Sequence, residues 1–151
     1  MKPTTSVKPI GSWLNRTDRA LTRAMDELLA ASGLTRLAWQ VLNVVRDAPG
    51  ADGATDADVL TLLAANADAP TLTAAVETVV ADGWAARPAP ARLALTADGR
   101  FRLDAAAERV AAFRTRAASG ISPEEYRTAV GVLERMTRNL EGAPAAGRGR
   151  G

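Results

Sequence analysis

From Ile10 onward, apolar side chains recur at the three-to-four spacing of a helix face: Ile10, Trp13, Leu14, Leu21, Met25 and Leu28. The pattern predicts a long amphipathic helix that stops at Ser32-Gly33, where glycine suits a C-terminal cap. Its other face carries Arg16, Arg19, Arg23 and Asp26, the usual make-up of a solvated face. Leu34, Leu37, Ala38, Val41, Leu42, Val44 and Val45 predict a second helix, apolar over a wide arc and therefore buried, ending before Pro49-Gly50. After a turn over Pro49-Gly-Ala-Asp-Gly53, Thr55 can cap a third helix holding Val59, Leu60, Leu62 and Leu63.

Asn66 to Ala69 reads as the next turn, with Pro70 at the first position of a fourth helix. That helix repeats Leu72, Ala75, Val76, Val79 and Val80, stops at Gly83, and turns at Trp84 into extended chain. Ala85 to Arg87 and Arg92 to Leu95 are expected as short strands joined by Pro88-Ala89-Pro90, which confine them to an edge hairpin. Thr96 can cap a fifth helix running through Phe101, Val110 and Phe113 to about Ala118, broken at Ser119-Gly120. Ser122-Pro123-Glu124-Glu125 is a capping box, and Tyr126, Val130, Leu133, Met136 or Thr137, and Leu140 form one stripe on a sixth helix.

A helix that ends in glycine and passes directly into a short β-ribbon is how a winged helix-turn-helix presents its recognition helix. The expected fold is mainly α: a winged helix-turn-helix core with a short β-hairpin wing, flanked by N- and C-terminal helices that form a helical dimerisation region. The expected divisions are a flexible arm over residues 1–9, dimerisation helices over 10–33 and 97–142, the winged core over 34–96, and a disordered low-complexity tail over 143–151.

Composition narrows the chemistry. Of 151 residues 47% are apolar but only 4% aromatic, so a core shared with a second copy would add large side chains to bury. The chain has no cysteine, which excludes disulfides and thiolate metal sites, and no histidine, which removes the usual zinc ligand and the commonest general base. The carboxylates are scattered along helices, and no Gly-rich phosphate loop occurs. Asp56-Ala-Asp58 and Glu124-Glu125 read as helix N-terminal acids rather than as metal ligands. Catalytic residues, metal site and cofactor are therefore all expected to be none, and the protein is not expected to be an enzyme. No apolar run approaches the roughly 20 residues of a membrane span, and the N-terminus lacks a signal-peptide core. A cytoplasmic protein with no membrane partner is expected.

The helix order and the residues at its joints resemble the MarR family of winged-helix regulators. The resemblance lies in Trp39-Gln-Val-Leu42, in Leu72-Thr73 through Val76 to Gly83-Trp84, in Leu95-Thr96-Ala-Asp-Gly99 after the wing, and in Ile121-Ser-Pro-Glu-Glu-Tyr126 followed by Leu133-Glu-Arg-Met136 and Asn139-Leu140. It spans roughly residues 10 to 142. It implies a homodimer whose first and last helices interleave, a fourth helix that enters the major groove of double-stranded DNA, and a wing that reaches toward a minor groove. It also implies release from DNA by a small, often aromatic ligand bound between the two domains, and so a transcriptional regulator such as a repressor.

Carried onto this chain, the DNA-facing positions are Thr71, Thr73, Ala74 and Thr78 in the fourth helix and Arg87 and Arg92 in the wing. Ala74 and Thr78 stand where arginines are usual in the family, so the bidentate arginine–guanine contact is missing from this helix. The family's Asp-x-Arg wing signature is missing too. Residues 1–46 hold seven basic and three acidic side chains, whereas residues 47–86 hold seven acids and neither Lys nor Arg. Backbone affinity for DNA comes largely from cations, so this distribution predicts weak binding with a shallow salt dependence. The alternative is a dimeric ligand-binding or protein-partner module that keeps the fold and has lost most DNA contacts. For a ligand, Trp13 and Trp39 with Arg16 are the candidate pocket residues, and the competing reading is ordinary core or interface packing.

Overall fold

The structure, a computed structural model, describes residues 7–142. In chain order the elements are α1 (Ile10–Ala31), α2 (Arg36–Asp47), β1 (Ala54–Thr55), α3 (Asp56–Leu62), α4 (Ala69–Ala81), β2 (Ala85–Ala86), β3 (Arg92–Leu95), α5 (Ala97–Ala117) and α6 (Pro123–Glu141). The expected helix order is present. Residues 1–6 of the expected arm and the expected tail over 143–151 lie outside the described residues, while residues 7–9 are exposed and without regular structure. Among the described residues no single helix is long and apolar enough to cross a membrane.

Local chemistry sets the helix ends. Thr35 accepts the Ala38 amide at 3.1 Å and starts α2. At α3, Thr55 Oγ1 accepts the Asp58 amide at 3.0 Å while Asp58 Oδ2 accepts the Thr55 amide at 2.9 Å, a full capping box. Asp68 caps α4 by accepting the Thr71 amide at 2.8 Å, so the helix begins at Ala69 and Pro70 falls one residue later than expected. At the far end, Gly83 takes the left-handed conformation (φ 78°), its amide bonds Val80 O at 3.1 Å, and the Trp84 amide bonds Val79 O at 3.0 Å. This is a Schellman motif, and it turns the chain sharply out of α4. Ser122 and Glu125 form the anticipated box at α6.

The described chain comprises two compact units, residues 7–111 and 112–142. In the first, the core joins Leu29 of α1, Val41 and Leu42 of α2, Val59 of α3, Leu72, Val76 and Val79 of α4, Trp84, Leu93 of β3, and Leu103, Ala106 and Val110 of α5. Trp84, with 2% of its surface exposed, is the largest fully buried side chain. The buried face of α5 follows the three-to-four spacing of Gly99, Leu103, Ala106 and Val110. Phe101, expected among the apolar positions of this helix, lies off that face and is 76% exposed. In the second unit, α6 buries none of its residues, and Tyr126, Val130, Met136 and Leu140 are exposed.

One element was not expected. β1 is a two-residue strand that completes a three-stranded antiparallel sheet in the order β1-β3-β2, with Ala54 opposite Leu93 and Thr55 opposite Arg92. Gly53 permits the approach: its φ is +77°, and a Cβ there would run into the carbonyl of Leu93.

Candidate nucleic-acid interface

Burial on one side of α4 decides what the other side offers. With Leu72, Val76 and Val79 in the core, Thr71, Thr73, Ala74, Glu77 and Thr78 are exposed. The Thr78 hydroxyl donates to the Ala74 carbonyl at 2.9 Å, leaving its oxygen as an acceptor toward solvent. Four of these are the positions the family resemblance implied, and Glu77 shares their face.

Beside this face stands the hairpin. β2 pairs with β3 in the register Ala85–Leu95 and Ala86–Ala94, and the loop between them closes with Ala91 at φ 58° and the Arg92 amide bonded to Ala89 O at 3.1 Å. The Asp56 amide bonds Ala91 O at 3.1 Å, so the start of α3 supports the loop.

The segment Leu95-Thr96-Ala-Asp-Gly99 ties the hairpin to the end of α4. Thr96 Oγ1 donates to Gly83 O at 2.7 Å and accepts the Gly99 amide at 2.8 Å, while the Thr96 amide bonds Trp84 O at 3.1 Å. Gly99 abuts the Trp84 carbonyl so closely that any Cβ would collide with it. The Arg102 guanidinium stacks 3.8 Å above the Trp84 ring. Leucine, threonine and glycine at these positions are therefore a joint between helix, strand and helix.

The electrostatics depart from expectation at Arg87. Its Nη1 bonds Asp56 Oδ1 and its Nη2 bonds Glu77 Oε1, both at 2.9 Å. Hydrogen bonds donated to Asp56 first and Glu77 second hold the guanidinium above its ordinary pKa. Arg87 thus spends its charge on two carboxylates of the same motif. Of the other arginines in residues 34–96, Arg36 pairs with Asp26 at 3.1 Å and Arg46 with Asp104 at 2.8 Å. Arg92 has no ion pair among the described residues, although its charge contributes to lowering the pKa of Asp58, a shift set mainly by the Thr55 amide. Four arginines against seven carboxylates leave residues 34–96 with a net charge of −3. No sequence signal marks the Arg87 clamp, because its partners lie 31 and 10 residues away.

The ligand candidates lie on two helices, α1 and α2. The Arg16 guanidinium lies 5.6 Å from the Trp13 ring centroid on exposed α1, and the Lys8 ammonium 5.9 Å. Trp39, partly buried on α2, packs against the core. A surface cavity of about 540 Å³ between α2 and α3 is lined by residues that include Asn43, Val44, Ala48, Leu62 and Leu63, and by none of Trp13, Arg16 or Trp39. Among the described residues no cluster of three or more potential metal ligands occurs.

No protein-family model matches the chain, and no curated protein matches it. Solved structures do. A MarR family transcriptional regulator from Silicibacter pomeroyi is 25% identical, with a TM-score of 0.61 over 85% of this chain and 87% of its own. A Mycobacterium tuberculosis MarR family protein, in complex with DNA, is 23% identical with a TM-score of 0.66 over 86% of this chain and 98% of its own. CouR from Rhodococcus jostii, bound to p-coumaroyl-CoA, is 23% identical with a TM-score of 0.65 over 88% of this chain and 91% of its own. Helix α4, its glycine turn, the three-stranded sheet and the threonine joint thus stand in an overall fold shared with these regulators, and the chain has the fold of the MarR family.

Proposed function

We propose that this protein is a homodimeric MarR-family transcriptional regulator of the cytoplasm that binds double-stranded DNA and acts without cofactor or catalysis. The observation that carries the reading is the exposed face of α4: Thr71, Thr73, Ala74 and Thr78 present hydroxyls and a methyl group to solvent beside the hairpin. Such groups bond phosphates and base edges and touch thymine methyls. Arg92, without an ion pair among the described residues, supplies the wing's cation. Exposed apolar side chains on α1 (Ile10, Trp13, Leu14, Leu21) and on α6 (Tyr126, Val130, Met136, Leu140) support a second copy as their cover. Release by a small aromatic ligand belongs to the same reading, with Trp13, Arg16 and Trp39 as its candidate contacts.

A second reading has its own observation. Arg87 is clamped by Asp56 and Glu77, and the winged core is net acidic, which favours a dimeric module that has lost most DNA contacts. A gel shift on the protein's own upstream region, repeated over a salt series, separates the two. The regulator gives a specific complex at low salt whose affinity falls on Arg92→Ala, with a shallow salt slope, since few cations meet phosphates and each phosphate neutralised contributes about −0.9. No specific complex even at low salt transfers the assignment to the second reading. A monomer in sedimentation would remove the homodimer from both.

A further inference from the structure

We propose that Glu77 is a base-reading residue, that it selects cytosine in the major groove, and that Arg87 is the positioning residue that aims it. The inference rests on the DNA-binding reading above and deepens it.

On the exposed face of α4, Thr71, Thr73 and Thr78 carry short hydroxyls and Ala74 a methyl group; Glu77 is the one long polar side chain among them. It lies three residues after Ala74, hence on the same face, and its side chain is 63% exposed. An ionised carboxylate is an acceptor only, and the base edge that offers a matching donor in the major groove is the N4 amino group of cytosine. Arginine and lysine, which would read guanine, are missing from this helix, and so are asparagine and glutamine, which would read adenine. A preference for cytosine beside a thymine whose methyl meets Ala74 follows from the side chains present.

A carboxylate brought near phosphates meets repulsion, and a long flexible side chain loses rotamer freedom when it reads a base. Arg87 lowers both costs. Its Nη2 holds Glu77 Oε1 at 2.9 Å, while its Nη1 is anchored on Asp56 Oδ1 at 2.9 Å, so the carboxylate carries its own counter-cation and points from a fixed fork. Glu77 Oε2 has no hydrogen-bond partner among the described residues and is left to accept from a base. The clamp that withdraws Arg87 from the phosphate backbone thereby orients the acid.

Selection from a random-sequence duplex DNA pool at low salt, using the full-length protein, tests this. The wild type should retain a cytosine at one position of each half-site, with replacement of that base costing about tenfold in affinity. Glu77→Ala should lose that preference while binding DNA in general no more weakly, because an anion has been removed. Glu77→Gln should move the preference from cytosine to adenine, since an amide pairs with adenine N6 and N7. Arg87→Ala should blunt the cytosine preference with Glu77 intact. The same consensus from the wild type and both Glu77 variants overturns the inference and leaves DNA binding standing. Failure of the wild type to enrich any sequence overturns DNA reading itself, and this inference with it.

Discussion

The hydroxyl of Thr96 donates to the carbonyl of Gly83 at 2.7 Å, joining the turn that ends α4 to the residue just before α5. The same oxygen accepts the Gly99 amide at 2.8 Å, so one side chain caps a helix and fixes the exit of the candidate recognition helix.

Thr96→Val keeps the volume and removes the hydroxyl, leaving the Gly99 amide without its cap. We expect a loss of about 1–3 kcal/mol in urea unfolding, with Thr96→Ser retaining most of the stability. Equal stability of the valine variant would show that water replaces both bonds.

Gly99→Ala is expected to cost at least as much, although alanine is the better helix former. The added methyl would strike the Trp84 carbonyl, which is backbone and cannot swing aside, and overpacking of this kind costs roughly 1–3 kcal/mol or more. Thermal unfolding followed by circular dichroism measures it. A variant as stable as the wild type would show that α5 and the Trp84 carbonyl can part to admit a methyl group.

Acid should loosen three helix starts together. Hydrogen bonds hold the carboxyls of Asp58 (Thr55 amide, then hydroxyl), Asp68 (Thr71 side chain, then amide) and Glu125 (Ser122 amide, then hydroxyl) below their ordinary pKa values. Each folded value lies below its unfolded one, so the stability these caps add is fully present above the ordinary 3.8 of aspartate and 4.5 of glutamate. It is lost as pH falls through the folded values. Melting temperatures measured between about pH 6 and pH 3 should fall, and Asp58→Asn combined with Asp68→Asn and Glu125→Gln should flatten the decline. An unchanged slope in the triple variant would assign the acid loss to other groups.

What was legible in the amino-acid sequence is what depends on near neighbours. A helix end is built within four or five residues, so Thr55 with Asp58, Ser122 with Glu125, and Gly83 after Val79-Val80 announce their boundaries locally, and helical spacing picks out Leu72, Val76 and Val79 as the buried face of α4. The positions that the family resemblance implied, Thr71, Thr73, Ala74 and Thr78, fall on the exposed remainder of that helix. Tertiary structure decided what depends on distant partners. β1 has two residues, too few for any alternation to show, and exists because Leu93 and Arg92 arrive to pair with it. Phe101 sits among apolar positions in the chain yet faces outward, because Gly99 and Leu103 are the residues that Trp84 and the core receive. Arg87 reads from the sequence as a cation free to meet DNA; the fold places Asp56 and Glu77 against it, 31 and 10 residues away, and neutralises it. Charge can be counted along a chain, but its effect depends on distance, and distance is settled only when the chain has folded.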